Sequence, residues 1–347
     1  MTKHELKFDA ASHSVVRGAD PLEVLDSDDE TELSEGESRY VEAARAANTI
    51  RGYRSDWSEF TSWCSQTGHD AFPASAAAIA GYLTALASHG AAVGTMSRRL
   101  SAIRFAHRLR DVPDPTENAR VVAVWEGIRR THGAPPVQAV PLMPPELFDV
   151  LAACPSTKKW APTSKRAPEP DLAGARDKAL LLMGFIAALR RSELAALTLE
   201  DVTDHENGFV LTIPRSKTNQ YGDAGELVVL PRARRPEHCP VTAVKVWVQL
   251  AGITGGPLLR PVSRGNRALS RPVTAAAVND LVKIAVARAG LDPQRYSAHS
   301  LRAGFVTYAH LRGATDLSPI RLGIARWPRS VRTCGSPTHG PTTRPPS

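Results

Sequence analysis

Two arginines and a histidine stand where they could handle a phosphodiester. Arg190 lies in Ala188-Leu189-Arg190-Arg191-Ser192-Glu193-Leu194, and about a hundred residues later comes His299-Ser300-Leu301-Arg302. A guanidinium keeps its charge and forks its donors onto two oxygens, which suits a phosphorus centre gaining negative charge. His299 and Arg302, three apart on a helix, project from one face toward one phosphate. Glu193, three residues after Arg190 and expected on the same helical face, is placed to orient that arginine without touching substrate. Lys217, in Arg215-Ser216-Lys217-Thr218-Asn219-Gln220, is a flexible ammonium on a turn that can enter a site and donate a proton. Each has an ordinary reading too: a helical Arg–Glu pair worth a few tenths of a kcal/mol, a solvated turn lysine, and a weak H-x-x-R.

The elements that must position these residues follow from the apolar pattern. From Asp171 a long helix runs through Ala179 to Leu189, apolar on nearly every side, which marks it as a central buried helix. Phe209 to Ile213 and Leu227 to Leu230 read as an antiparallel hairpin, with Lys217 in its turn. Glu146 to Ala153, Val241 to Leu250, Thr274 to Ala289 and His299 to Leu311 read as further helices. Pro155 to Pro170 is an insertion rich in Lys, Pro and Ser, expected as an exposed basic loop.

Upstream, Thr49 can cap a helix carrying Tyr53, Trp57, Phe60 and Trp63 at three- and four-residue steps. Phe72-Pro73-Ala74-Ser75 is a break before a stripe of Ile79, Tyr82, Leu83 and Leu86. Thr95 to Arg110 forms a third helix, with Leu100, Ile103 and Leu109 inward. Val121, Val124, Trp125 and Ile128 suggest a fourth. The expected organisation is a disordered acidic tail over 1–37, a helical DNA-binding domain over 38–133 and a stiff Pro-rich linker over 134–145. A catalytic domain over 146–316 and an aberrant tail over 317–347 complete it.

The formal charge is +8, yet nine acids lie between Asp20 and Glu37 with no Lys or Arg among them; setting them aside leaves +17. Such a field favours a polyanion, and nucleic acid is the plainest. Cys64, Cys154, Cys239 and Cys334 form no C-x-x-C or Cys/His cluster, which argues against a zinc site and fits a reducing cytosol. No apolar run is long enough to span a bilayer, so a cytoplasmic protein without membrane contact is expected. No carboxylate cluster of the two-metal kind is present.

These motifs together resemble the tyrosine recombinase, or phage integrase, family. Thr49-Ile50-Arg51-Gly52-Tyr53-Arg54 through Phe60-Thr61-Ser62-Trp63-Cys64, and Arg98-Arg99-Leu100-Ser101-Ala102-Ile103-Arg104, are similar to its core-binding domain. Residues from about 142 to 315 are similar to its catalytic domain. Arg190 and Glu193 match L-R-x-S-E-L, and His299 and Arg302 match H-x-x-R within Ser297-Ala298-His299-Ser300-Leu301-Arg302-Ala303-Gly304.

The resemblance implies a mainly α fold with a small antiparallel β-sheet: a SAM-like helical domain followed by a recombinase catalytic domain. It implies that a tyrosine attacks phosphorus to give a 3′-phosphotyrosyl link, with Lys217 protonating the departing 5′ oxygen. No cofactor and no metal are implied, because the covalent link stores the bond energy. The implied partner is double-stranded DNA clamped between two domains, contacted by Arg51, Arg54, Arg98, Arg99, Arg104 and Arg108, with self-association on that DNA.

One part of the pattern is missing. The family spacing puts a second His or Trp and then the tyrosine about thirty residues beyond Arg302, and no tyrosine follows Tyr308. Tyr308 and Tyr296 read as core residues, and Cys334 as an unstructured thiol. Re-reading 320–335 in another frame, with free choice of wobble bases, permits a His and a Tyr about nine residues apart. A frameshift near Asp316 or Leu317 is therefore expected. The function expected is a recombinase impaired in cleavage. The alternatives are a non-catalytic protein occupying recombination sites and, more distantly, a type IB topoisomerase-like enzyme.

Overall fold

Apolar residues spaced for one helical face build the first of two units in this chain, which divides between residues 136 and 137. The computed structural model describes residues 47–135, 138–161, 163–213 and 226–313; both expected tails lie outside these. Helix α1 (Ala47–Thr67) buries Trp57, Phe60, Trp63 and Cys64. Thr49, expected as its cap, lies inside it. Helix α2 (Ala76–Ser88) begins where predicted, with the Ser75 hydroxyl accepting from the Ala78 N–H at 3.1 Å. Its Ile79, Tyr82, Leu83 and Leu86 are buried in one core with residues of α1 and of α3 (Val93–Leu109). Helix α4 (Ala119–His132), capped by Asn118, closes the unit with Val121 and Ile128.

The second unit is built around α6 (Leu172–Ile186). A short α5 (Glu146–Ala152) comes first, then two paired strands, β1 (Thr157–Lys158) and β2 (Glu169–Pro170). Asp171 caps α6 by accepting from the Gly174 N–H at 3.0 Å. Every residue from Ala179 to Phe185 is buried. Around α6 pack α7 (Arg191–Ala196), α8 (Pro240–Ala251), α9 (Ala275–Arg288) and α10 (Ala298–Leu311).

A three-stranded antiparallel meander, β3 (Val202–His205), β4 (Gly208–Ile213) and β5 (Glu226–Pro231), runs in sequence order, pairing Val202 with Leu211 and Ile213 with Glu226. The last two strands are the predicted hairpin. The first was not anticipated, since Val-Thr-Asp-His is short and half polar.

Two glycines fix the approach of the elements that carry the site. At Gly184 a Cβ would lie 2.7 Å from Leu301 and 3.1 Å from Leu194, so α6, α7 and α10 meet there. At Gly304 a Cβ would lie 2.0 Å from the Leu142 carbonyl oxygen. The Leu142 N–H donates to the Ser300 carbonyl at 2.9 Å, and the Val140 N–H to that of Arg295 at 2.9 Å. This end of the Pro-rich connector is thus fastened to the second unit.

Candidate active site

Arg190 does not ride on the buried helix. Helix α6 stops at Ile186, Ala188 takes a left-handed φ of 48°, and Arg190 is extended (φ −73°, ψ 153°) as the N-cap of α7. The expectation that Arg190 and Glu193 share a helical face is corrected accordingly. Glu193, in the first turn of α7, folds back on the cap. One carboxylate oxygen accepts the Arg190 backbone N–H at 2.8 Å, and the other accepts guanidinium Nη1 at 2.5 Å. The Glu193 side chain is 4% exposed and that of Arg190 24%, so a buried acid holds a guanidinium that still reaches solvent.

Arg302 closes the same turn from the other side. Its Nη1 donates to the Ala188 carbonyl at 2.8 Å, joining α10 to the segment two residues before Arg190. A left-handed non-glycine residue is costly by itself, and a charge-assisted bond on its carbonyl offsets part of that cost. His299 lies exposed in the first turn of α10, one turn before Arg302. That helix start is firmly set. The Ser297 hydroxyl accepts the His299 N–H at 3.2 Å, the buried Ser300 hydroxyl accepts the Ser297 N–H at 3.0 Å, and Asn279 of α9 accepts the Ala298 N–H at 3.1 Å. An anion beside His299 would also meet the positive end of the helix dipole. Lys217 lies outside the described residues; β4 and β5 flank its segment.

In the first unit the expected DNA-contacting arginines divide sharply. Arg51 and Arg54 are exposed, Arg51 donating to Asn48 at 2.9 Å. Arg98 forms a bidentate pair with buried Asp56, both bonds 2.8 Å, while staying 58% exposed. Arg104 and Arg108 share Asp114 at 2.8 and 3.5 Å. Arg99 is a correction. It is 8% exposed, bound to Glu59 and to the Tyr82 hydroxyl, so it holds α3 to α1 and α2 and cannot reach DNA. Arg120, Arg129 and Arg130 of α4 were missed by sequence reading. They are exposed and form no salt bridge with a described residue. Three arginines off the apolar face of a fourth helix were the available signal.

Residues 39–109 match the phage integrase N-terminal SAM-like domain family. An integrase/recombinase XerD homolog of Selenomonas ruminantium is 34% identical over 80% of this chain and 78% of its own length. The chain belongs to the tyrosine recombinase family. The tyrosine recombinase XerD of Caulobacter vibrioides is 27% identical over 81% of this chain and 83% of its own. Among solved structures, a lambda integrase (75–356) dimer bound to a COC′ core site superposes with a TM-score of 0.52 at 15% identity, covering 86% of this chain and 93% of that one. XerH recombinase bound to a palindromic difH substrate gives 0.53 at 19% identity, covering 80% and 73%. Both share the fold.

Two tyrosines of the second unit lie among the described residues of this tyrosine recombinase. Tyr296 is 8% exposed. Tyr308 packs its ring 6.2 Å from that of Phe185, beneath the Arg312 guanidinium at 5.2 Å. Burial pushes the Cys154 thiol up to about 12, far from a thiolate at neutral pH. Cys334 lies outside the described residues. Among the described residues no His, Cys, Asp and Glu gather as metal ligands, and no helix is long and apolar enough to cross a membrane.

Proposed function

We propose that this tyrosine recombinase binds duplex DNA and grips one phosphodiester with Arg190, Arg302 and His299, but does not cut it. The observation that carries the grip is the bond from Arg302 to the Ala188 carbonyl, which brings both catalytic-type arginines to one turn. Glu193 acts as the positioning residue, and Lys217 is the proton donor assigned by motif. Electrostatic stabilisation of a phosphorane needs these groups; forming the covalent intermediate needs a positioned oxygen nucleophile as well. The family spacing puts that tyrosine inside the present sequence, where none stands. Arg51, Arg54, Arg98, Arg104 and Arg108, joined by Arg120, Arg129 and Arg130, supply phosphate contacts from the first unit. DNA-bound dimers of lambda integrase support self-association on the duplex.

The decisive experiment offers the full chain a suicide duplex with a nick beside the cleavage site. The expected result is a salt-sensitive mobility shift without an adduct that survives detergent. Restoring the alternate frame after about Asp316 should yield a 3′-phosphotyrosyl adduct, which a Tyr→Phe change in the restored segment should abolish. A detergent-stable adduct from the unrepaired chain, mapped to Tyr308 or Cys334, overturns the cleavage-deficient reading.

A further inference from the structure

The insertion expected as an exposed basic loop is fastened at its base by a two-residue strand pair, which makes it a hairpin. Thr157 pairs with Pro170 and Lys158 with Glu169. Its base is held by Asn266, a buried residue in the left-handed region (φ 59°). The Asn266 amide donates to Glu169 and to the Pro170 carbonyl, both at 2.9 Å, and accepts the Leu172 N–H at 3.0 Å. The Pro155 carbonyl also sits where a Cβ at position 174 would be, 1.8 Å away, so only glycine admits this approach. On this base stands a cluster of cations. The Arg166 guanidinium stacks on the Trp160 ring at 3.7 Å, with the Lys158 ammonium 5.7 Å from the same ring. Lys159 and Lys165 are exposed and form no salt bridge with a described residue, and Glu169 is the only acid between 155 and 170.

Two cations meet at one indole, Lys159 and Lys165 lie close to them in sequence, and Glu169 pairs with Arg166 at 3.4 Å, so the repulsive cost among the four is only partly relieved by that acid, solvent and the aromatic face. A phosphate backbone removes that cost and releases counterions as well. We infer that this hairpin is a second contact to the DNA backbone, separate from the arginine pocket. The hairpin meets the N-terminal end of α6 and the Arg190 turn follows its C-terminal end. The 15 residues of that helix span about 22 Å, the length of several base pairs. The contact reads charge and not sequence, since lysines meet phosphates as point charges. This inference rests on the DNA-binding reading above and adds to it where the flanking duplex is held.

The test measures affinity of the full chain for a fluorescent 40-bp duplex of mixed sequence against salt concentration. Lys159→Ala with Lys165→Ala should lower the magnitude of the log–log salt slope by roughly 1.8, at about 0.9 per phosphate contact. The melting temperature should not move, because both side chains are exposed. Lys159→Arg with Lys165→Arg should restore the slope. If the parent chain binds steeply and the Ala pair leaves its slope unchanged, the hairpin inference falls while the DNA reading stands. If the parent chain does not bind the duplex, the DNA reading falls first. A pair of substitutions that changes the sedimentation of the DNA-free chain, with no change in slope, assigns the hairpin to protein contact and overturns the inference.

Discussion

At the scale of single residues, the two arginines proposed to grip a phosphate also hold the fold: Arg190 is bound to Glu193, and Arg302 to the Ala188 carbonyl. Glu193→Ala would strand both the Arg190 N–H and its guanidinium, and should cost about 1–3 kcal/mol in urea unfolding, typical of a lost cap and a lost charged partner. Arg302→Ala should cost about 1.5–3 kcal/mol, because the Ala188 carbonyl loses a charged donor. An unchanged unfolding midpoint for Arg302→Ala would show that this bond contributes nothing. Type and spacing in the sequence single out Arg190, Glu193, His299 and Arg302 as candidates. They could not reveal how Arg190 is held, because the chain reverses through a positive φ at an alanine with no glycine to announce it. Arg99 misled for a related reason: an arginine beside exposed Arg98 reads the same whether its partner is DNA or buried Glu59.

At the scale of elements, apolar periodicity was a sound guide, and helices α1 to α6 and α8 to α10 fall close to where it put them. Of the two glycine contacts, a glycine at 304 permits a close approach or is incidental, and its type does not say what approaches. Gly304→Ala should destabilise the second unit by more than about 2 kcal/mol, since the Leu142 backbone cannot retreat while its N–H is bonded to Ser300. Ser297→Ala, which removes only a cap, should cost about 1 kcal/mol. A thermal melt ranking the two the other way would contradict this packing.

In the first unit His107 joins α3 to the turn before α2. It is fully buried, accepts the Ala74 N–H at 2.9 Å through Nε2 and donates through Nδ1 to the Ile103 carbonyl at 2.8 Å. Burial holds its pKa below the usual 6.5, and the Ile103 bond and the charge of Asp114 oppose that shift only in part. The unfolded chain therefore binds this proton more readily than the folded one. The stabilising contribution of neutral His107 is complete above pH 6.5 and declines as the pH falls below it. Protection of the Ala74 amide from hydrogen exchange should fall between neutral pH and pH 5 by more than the intrinsic exchange rate explains. In His107→Leu that pH dependence should disappear.

At the scale of the whole molecule, net charge suits a polyanionic partner but does not say which surface would meet it. Arg98, Arg104 and Arg108 are each matched by a carboxylate, while Arg129 and Arg130 of α4 form no salt bridge with a described residue. Arg129→Ala with Arg130→Ala should reduce the salt slope of duplex binding more than Arg104→Ala with Arg108→Ala, as read by fluorescence anisotropy. The reverse order would return the DNA-facing surface to α3. The bond between Arg302 and Ala188 has a consequence over longer times. A side chain needed both to grip a phosphate and to close a backbone turn is kept by either demand alone. A lineage that ceased to cut DNA would go on discarding substitutions at position 302, because they would destabilise it. The pocket would then outlast the reaction it was built for, and its persistence in a sequence would record the needs of the fold rather than the survival of catalysis.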